Sequence, residues 1–227
     1  MEAIELIRKR IKQCEAEGVV ILCCPEAALG GLADYAVQPA DFAIDVEGGQ
    51  LDAVLAPLAS RIVSTIIGFT EIAAAGRLYN SAAVLQNGAV VGVYRKLHPA
   101  IHKSVYEAGD QVPIFTVSGL TFGILICNDS NFPELAGSMA TKGATALFVP
   151  TNNGLPAGRA GSEFVSETRN ADVARAVDNR VSIIRADVAG STGDLVSYGS
   201  SAIIDADGTV LQSAPLLAET LLVADIR

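Results

Sequence analysis

Two stretches of the chain, GVVILCCPE (residues 18–26) and STIIGFTEIA (64–73), are apolar over most of their length and do not alternate with polar residues. A strand with one wet face alternates; a run that does not belongs to a strand buried on both faces. The fold must therefore cover a sheet on both sides. The helices alternating with strands elsewhere in the chain are the candidates for that cover, which makes the class mixed α/β with helices as outer layers.

The remaining strands follow from turn chemistry. Residues 80–96 read as a hairpin turned at Asn87-Gly88, residues 114–127 as a pair of strands around Ser118-Gly119, and residues 201–212 as a hairpin turned at Asp207-Gly208. Residues 145–150, 181–187 and 220–226 complete the predicted strands. Helices are predicted over 2–17, where Ala3, Ile4, Ile7 and Ile11 fall on one face, and over 49–62, 131–143 and 166–180. The Gly/Pro/Asn-rich stretch 151–163 reads as a loop, a lid or pocket wall.

Composition narrows the function. Half of the 227 residues are hydrophobic and 18% are charged, too apolar for disorder and enough for one domain over 1–227. A net charge of −9 without a basic run argues against nucleic acid and against anionic membrane surfaces. No apolar run approaches the roughly 18 residues that cross a bilayer, and Met1 opens a charged amphipathic stretch rather than a signal peptide. Cys14, Cys23, Cys24 and Cys127 form no disulfide framework, so a reduced cytoplasmic setting is expected. No spacing fits a zinc site, and no G-x-S-x-G elbow is present.

Three predicted strands end in reactive residue types: Glu26 after VVILCCP, Lys96 after GVVGVYR, and Cys127 after FGILI. Ends of buried strands commonly carry active sites. Each residue also has a structural reading: a helix cap, a surface charge and an inert core thiol. That reading is kept for Cys14, Cys23 and Cys24.

The words around these residues bear on the choice. CCPEAALGG, YRKLHP and ICNDSNFPE resemble the three signature segments of the nitrilase superfamily, the carbon–nitrogen hydrolases, with 70 residues from Glu26 to Lys96 and 31 from Lys96 to Cys127. VYEAGDQVPIF places Glu107 where that family carries a second active-site glutamate. Residues 174–190 and 198–211 resemble the family's later helix, strand and hairpin. The resemblance implies a four-layer α-β-β-α sandwich and a homodimer or larger homo-oligomer. It also implies a Glu-Lys-Cys triad acting on a small amide or carbamoyl substrate. Against the family pattern, Met1 falls inside the first helix and Arg227 ends early, so the sandwich is expected to lack the usual first strand and C-terminal segment.

The chemistry is consistent with those residue types. A free thiol near pKa 8.5 is only slightly ionised at neutral pH, so a carboxylate to accept its proton and a cation to favour thiolate are needed. Glu26 and Lys96 supply them, Glu107 would orient substrate or Lys96, and the main-chain N–H of Asn128 would join Lys96 at the oxyanion. No metal or organic cofactor is implied. Asp129 either holds the loop, the favoured reading, or touches substrate. Asn152 and Asn153 either bind a polar substrate or shape a turn, and Tyr35 is a further pocket candidate. His98 belongs to the structural motif in the family. Arg159, Arg169 and Arg185 are open candidates for a carboxylate clamp. Family members that hydrolyse nitriles tend to carry Trp-Glu after the nucleophile; Asn128-Asp129 here favours amides or N-carbamoyl amines, with a non-catalytic relic as the contrasting reading.

Overall fold

The computed structural model describes residues 2–157 and 161–226. The chain divides into two compact units, Met1–Gln111 and Val112–Arg227.

In the first unit, α1 (Glu2–Glu17) buries Ile7, Ile11 and Cys14, a spacing that puts all three on one helix face. The next elements are β1 (Ile21–Cys23), β2 (Ile44–Asp45), α2 (Gln50–Leu55), β3 (Ser64–Ile72), β4 (Leu78–Gln86) and β5 (Ala89–Arg95). Among the described residues they form a five-stranded sheet ordered β1-β3-β4-β5, with β2 also on β3. β1 and β2 run parallel to β3, while β3, β4 and β5 are antiparallel neighbours. Asn87 (φ 51) and Gly88 (φ 80) make the expected positive-φ turn. α2 stops at Leu55 and continues only as a 3-10 turn, Ala56–Leu58, because Pro57 cannot donate to the helix ladder.

The second unit contains β6 (Phe115–Val117), β7 (Leu120–Ile124), α3 (Pro133–Thr141), β8 (Ala146–Thr151), β9 (Leu155–Pro156), α4 (Ser162–Asn179), β10 (Ser182–Asp187), β11 (Ala189–Thr192), β12 (Leu195–Tyr198), β13 (Ala202–Ile204) and β14 (Val210–Ser213). Among the described residues its sheet runs β14-β13-β10-β8-β7-β6, parallel at its centre and antiparallel at both ends. A Cβ on Gly123 would fall 2.3 Å from Sδ of Met139, so glycine lets α3 lie close on β7.

The mixed α/β class is as expected. Several segments differ in detail, the helix predicted over 49–62 among them, which ends at Leu55. Residues 151–163 hold β9, which pairs with β12 and so joins a small third sheet, and α4 begins at Ser162, four residues early. Helix 131–143 shortens to start at Pro133, whose fixed φ suits a first helical position. Residues 220–226 carry no strand: among the described residues no strand pairs with them.

Candidate active-site residues

In the first unit Glu26 owes its place to a glycine. Cys24 donates to Ile66 and Leu29 to Gly68, so the longer chain between them leaves the ladder and crosses over Gly68 of β3. A Cβ on Gly68 would meet Ala27 N at 2.5 Å and Pro25 O at 2.6 Å. The crossing segment carries Glu26 inward, where it is 2% exposed. Lys96, 5% exposed, donates from Nζ to Oε1 of Glu26 at 2.6 Å, and Nδ2 of Asn80 donates to the same oxygen at 2.7 Å. A buried charge pair with added hydrogen bonding costs far less than either charge alone. Lys96 is therefore no surface charge and Glu26 no helix cap.

Glu107 stands apart from that burial. Its side chain is 53% exposed, and its carboxylate accepts from the Tyr79 hydroxyl at 3.5 Å and lies 3.8 Å from Arg77. Tyr35 closes a 3-10 turn, Ala33–Tyr35, with its side chain 53% exposed. The adjoining residues are tied to the Glu107 segment: Ala33 N–H donates to the Tyr106 hydroxyl at 2.7 Å, and Asp34 accepts from Ser104 and Val105.

In the second unit Cys127 begins a 3-10 turn, Cys127–Asn131, just beyond β7. Its φ of 47° lies in the left-handed region, a strained setting for a non-glycine residue and a common one at functional sites. Side-chain hydrogen bonds hold the turn. Asp129 is fully buried and accepts the Ile126 N–H at 3.1 Å, which is the loop-holding role favoured for it. Ser130 donates to the Cys127 carbonyl at 2.8 Å. Ser130 accepts in turn from Arg185 at 3.0 Å, whose guanidinium also grips Asp172 through two 2.6 Å bonds and Thr151 at 2.7 Å. Burial works to lower the Arg185 pKa, but Asp172 outweighs it and holds the guanidinium charged.

Arg185 is thus committed inside the unit and is no clamp for substrate. Arg169 donates to the Ser200 and Ser201 carbonyls. Arg159 lies outside the described residues. Asn128 is the second residue of the turn, where main-chain N–H groups point from the N-terminal end; its side chain accepts from Asn131.

Asn153 comes to the Cys127 side chain. The Cys127 thiol donates to its Oδ1 at 3.4 Å. Asn152 accepts from the Ser197 hydroxyl at 3.5 Å, a contact to the small third sheet. The other thiols are raised by burial: Cys14 above its ordinary value, Cys23 well above it, and Cys24 up to about 12. The sequence reading missed Asn80, Ser130 and Asp187. Each is a buried polar residue in or beside an apolar segment, a pattern that signals a required partner without naming it.

A mixed α/β chain with these residues at its strand ends falls within a known class of hydrolases. A family model described as carbon-nitrogen hydrolase matches residues 1–227, and the chain belongs to that family. Its relatives include amidases and nitrilases. It is 32% identical over 197 residues to an (R)-stereoselective amidase of a Pseudomonas species, covering 86% of this chain and 68% of that protein. It is 29% identical over 222 residues to a nitrilase of Pyrococcus abyssi, covering 96% and 80%. Among solved structures, a carbon-nitrogen hydrolase from Helicobacter pylori G27 superposes with a TM-score of 0.83 at 24% identity, over 94% of this chain and 80% of that one. A Nesterenkonia AN1 amidase from the nitrilase superfamily gives 0.79 at 22% identity, over 95% and 80%. Among the described residues no helix is long and apolar enough to cross a membrane.

Proposed function

We propose that the chain hydrolyses a small primary amide to a carboxylic acid and ammonia through a thioester on Cys127. Sγ of Cys127 bonds to the carbonyl carbon as its proton passes to Glu26. The carbonyl π electrons move onto oxygen, where Lys96 and the Asn128 N–H meet the charge. Glu26 returns the proton to nitrogen, the C–N bond breaks and ammonia leaves. Water then adds to the thioester carbon, giving a proton to Glu26; the C–S bond breaks, and the proton restores the thiol. Glu107 orients the substrate amide or Lys96.

The observation that carries this reading is the setting of Cys127. Of four cysteines, it is the one held on a left-handed turn past a strand end, while burial raises the pKa of the others. The amidase and nitrilase relatives support it. Ammonia release from a panel of primary amides, N-carbamoyl amines and nitriles tests it, run beside Cys127→Ala. Activity on amides that vanishes in the variant is expected, and a fully active variant sinks the proposal. Carbon dioxide released together with ammonia would mark an N-carbamoyl amine substrate instead. Self-association belongs to the same proposal; Val37 and Phe42, exposed large apolar side chains, support it, and sedimentation tests it.

A further inference from the structure

An amide side chain has an accepting end and a donating end, and what one end touches decides which end the other presents. Nδ2 of Asn153 donates to Oδ2 of Asp187 at 3.3 Å, and the Asn153 main-chain N–H donates to Oδ1 of Asp187 at 3.2 Å. Asp187 is itself fixed, 7% exposed, accepting from the Ser200 N–H at 2.8 Å and the Ser200 hydroxyl at 2.7 Å. Its own N–H donates to Ser201 at 2.9 Å. A carboxylate only accepts, so turning the Asn153 amide over would set oxygen against oxygen. The end left facing Cys127 Sγ is the acceptor, Oδ1, 3.4 Å away.

We infer that Asp187 locks Asn153 as a hydrogen-bond acceptor beside the nucleophile, and that this acceptor selects substrates bearing an N–H on the atom next to the attacked carbonyl carbon. The inference rests on the proposed amide hydrolysis and deepens it. At rest the thiol supplies the donor that Oδ1 needs. Attack removes that proton, and a half-buried acceptor then faces a sulfur with nothing to give. The leaving nitrogen of a primary amide is bonded to the carbon under attack and carries two N–H donors. An ester oxygen carries none, so an ester leaves Oδ1 unsatisfied at the moment of reaction. Asn153 is the specificity-determining residue, and Asp187 acts through it as a positioning residue.

The test compares hydrolysis of a primary amide and the methyl ester of the same small acid by the wild type, Asn153→Ala, Asp187→Ala, the double variant and Cys127→Ala. The amide-over-ester ratio of kcat/KM is expected to fall about tenfold in each single variant, the worth of one hydrogen bond. The double variant is expected to fall no further, because Asp187 works through Asn153. An unchanged ratio in Asn153→Ala overturns the inference even when Asp187→Ala fails to fold. Hydrolysis that depends on Cys127 with an unmoved ratio overturns this specificity reading alone. Activity on neither substrate in the wild type, or activity surviving Cys127→Ala, overturns the proposed amide hydrolysis and this inference with it.

Discussion

The Lys96 main-chain N–H donates to the Asn80 carbonyl at 2.8 Å, and the side chains of the same two residues meet again on Oε1 of Glu26. Backbone and side chains are thereby locked together, and the ammonium has little freedom to leave the carboxylate. Oδ1 of Asn80 is buried without a hydrogen-bond partner, so the residue is held for its donor end.

Removing the ammonium strands a buried carboxylate. Lys96→Met should cost about 3–5 kcal/mol of stability, and Glu26→Gln in the same chain should restore much of it. Urea unfolding of the single and double variants measures both. A single variant as stable as wild type would contradict the burial.

Gly68→Ala places a methyl group against Pro25 and Ala27. The crossing segment that carries Glu26 must shift, at about 1–3 kcal/mol. Activity should fall more steeply than stability, because the carboxylate moves. Comparing kcat/KM with the urea midpoint separates the two effects.

Iodoacetamide near neutral pH should modify the native protein once, at Cys127, and the denatured protein at all four cysteines. The basis is the raised pKa of Cys14, Cys23 and Cys24, with burial the largest cause in each. Peptide mass mapping checks it; prompt native labelling of Cys24 would refute it.

Tyr106 gives an alkaline signature. Burial pushes its phenol above the ordinary value, against the lowering by its Thr70 and Ala33 hydrogen bonds. The folded chain therefore keeps a proton that the unfolded chain gives up. The contribution is full below about pH 10 and is lost as pH rises from there through the folded pKa. Tyr106→Phe should be about 1–2 kcal/mol less stable at neutral pH and should lose less stability above pH 10 than the wild type does. Urea midpoints at both pH values decide it.

Much of this was legible in the residues. The apolar run 64–73 announced β3, and Asn87-Gly88 announced its hairpin neighbours, because period and turn chemistry are local. Glu26, Lys96 and Cys127 stood out at predicted strand ends and through the family resemblance. β9, β11 and β12 did not, since pairing Leu155 with Val196 is a long-range event between short, mixed segments. Residues 220–226 have strand composition but no ladder, and composition cannot supply a neighbour. Asp187 escaped notice for the same reason: the end of SIIRAD shows a carboxylate, and only the folded chain shows the four donors around it.

Heat bears on the Arg185–Asp172 pair differently from the apolar core. The hydration that two charges give up on burial becomes less favourable as temperature rises, so the penalty for keeping them dry shrinks, while burial of apolar surface gains little more. Ser130 ties the Cys127 turn to this pair. The strained backbone of Cys127 is thus hung from an interaction whose relative strength grows in a warming solution.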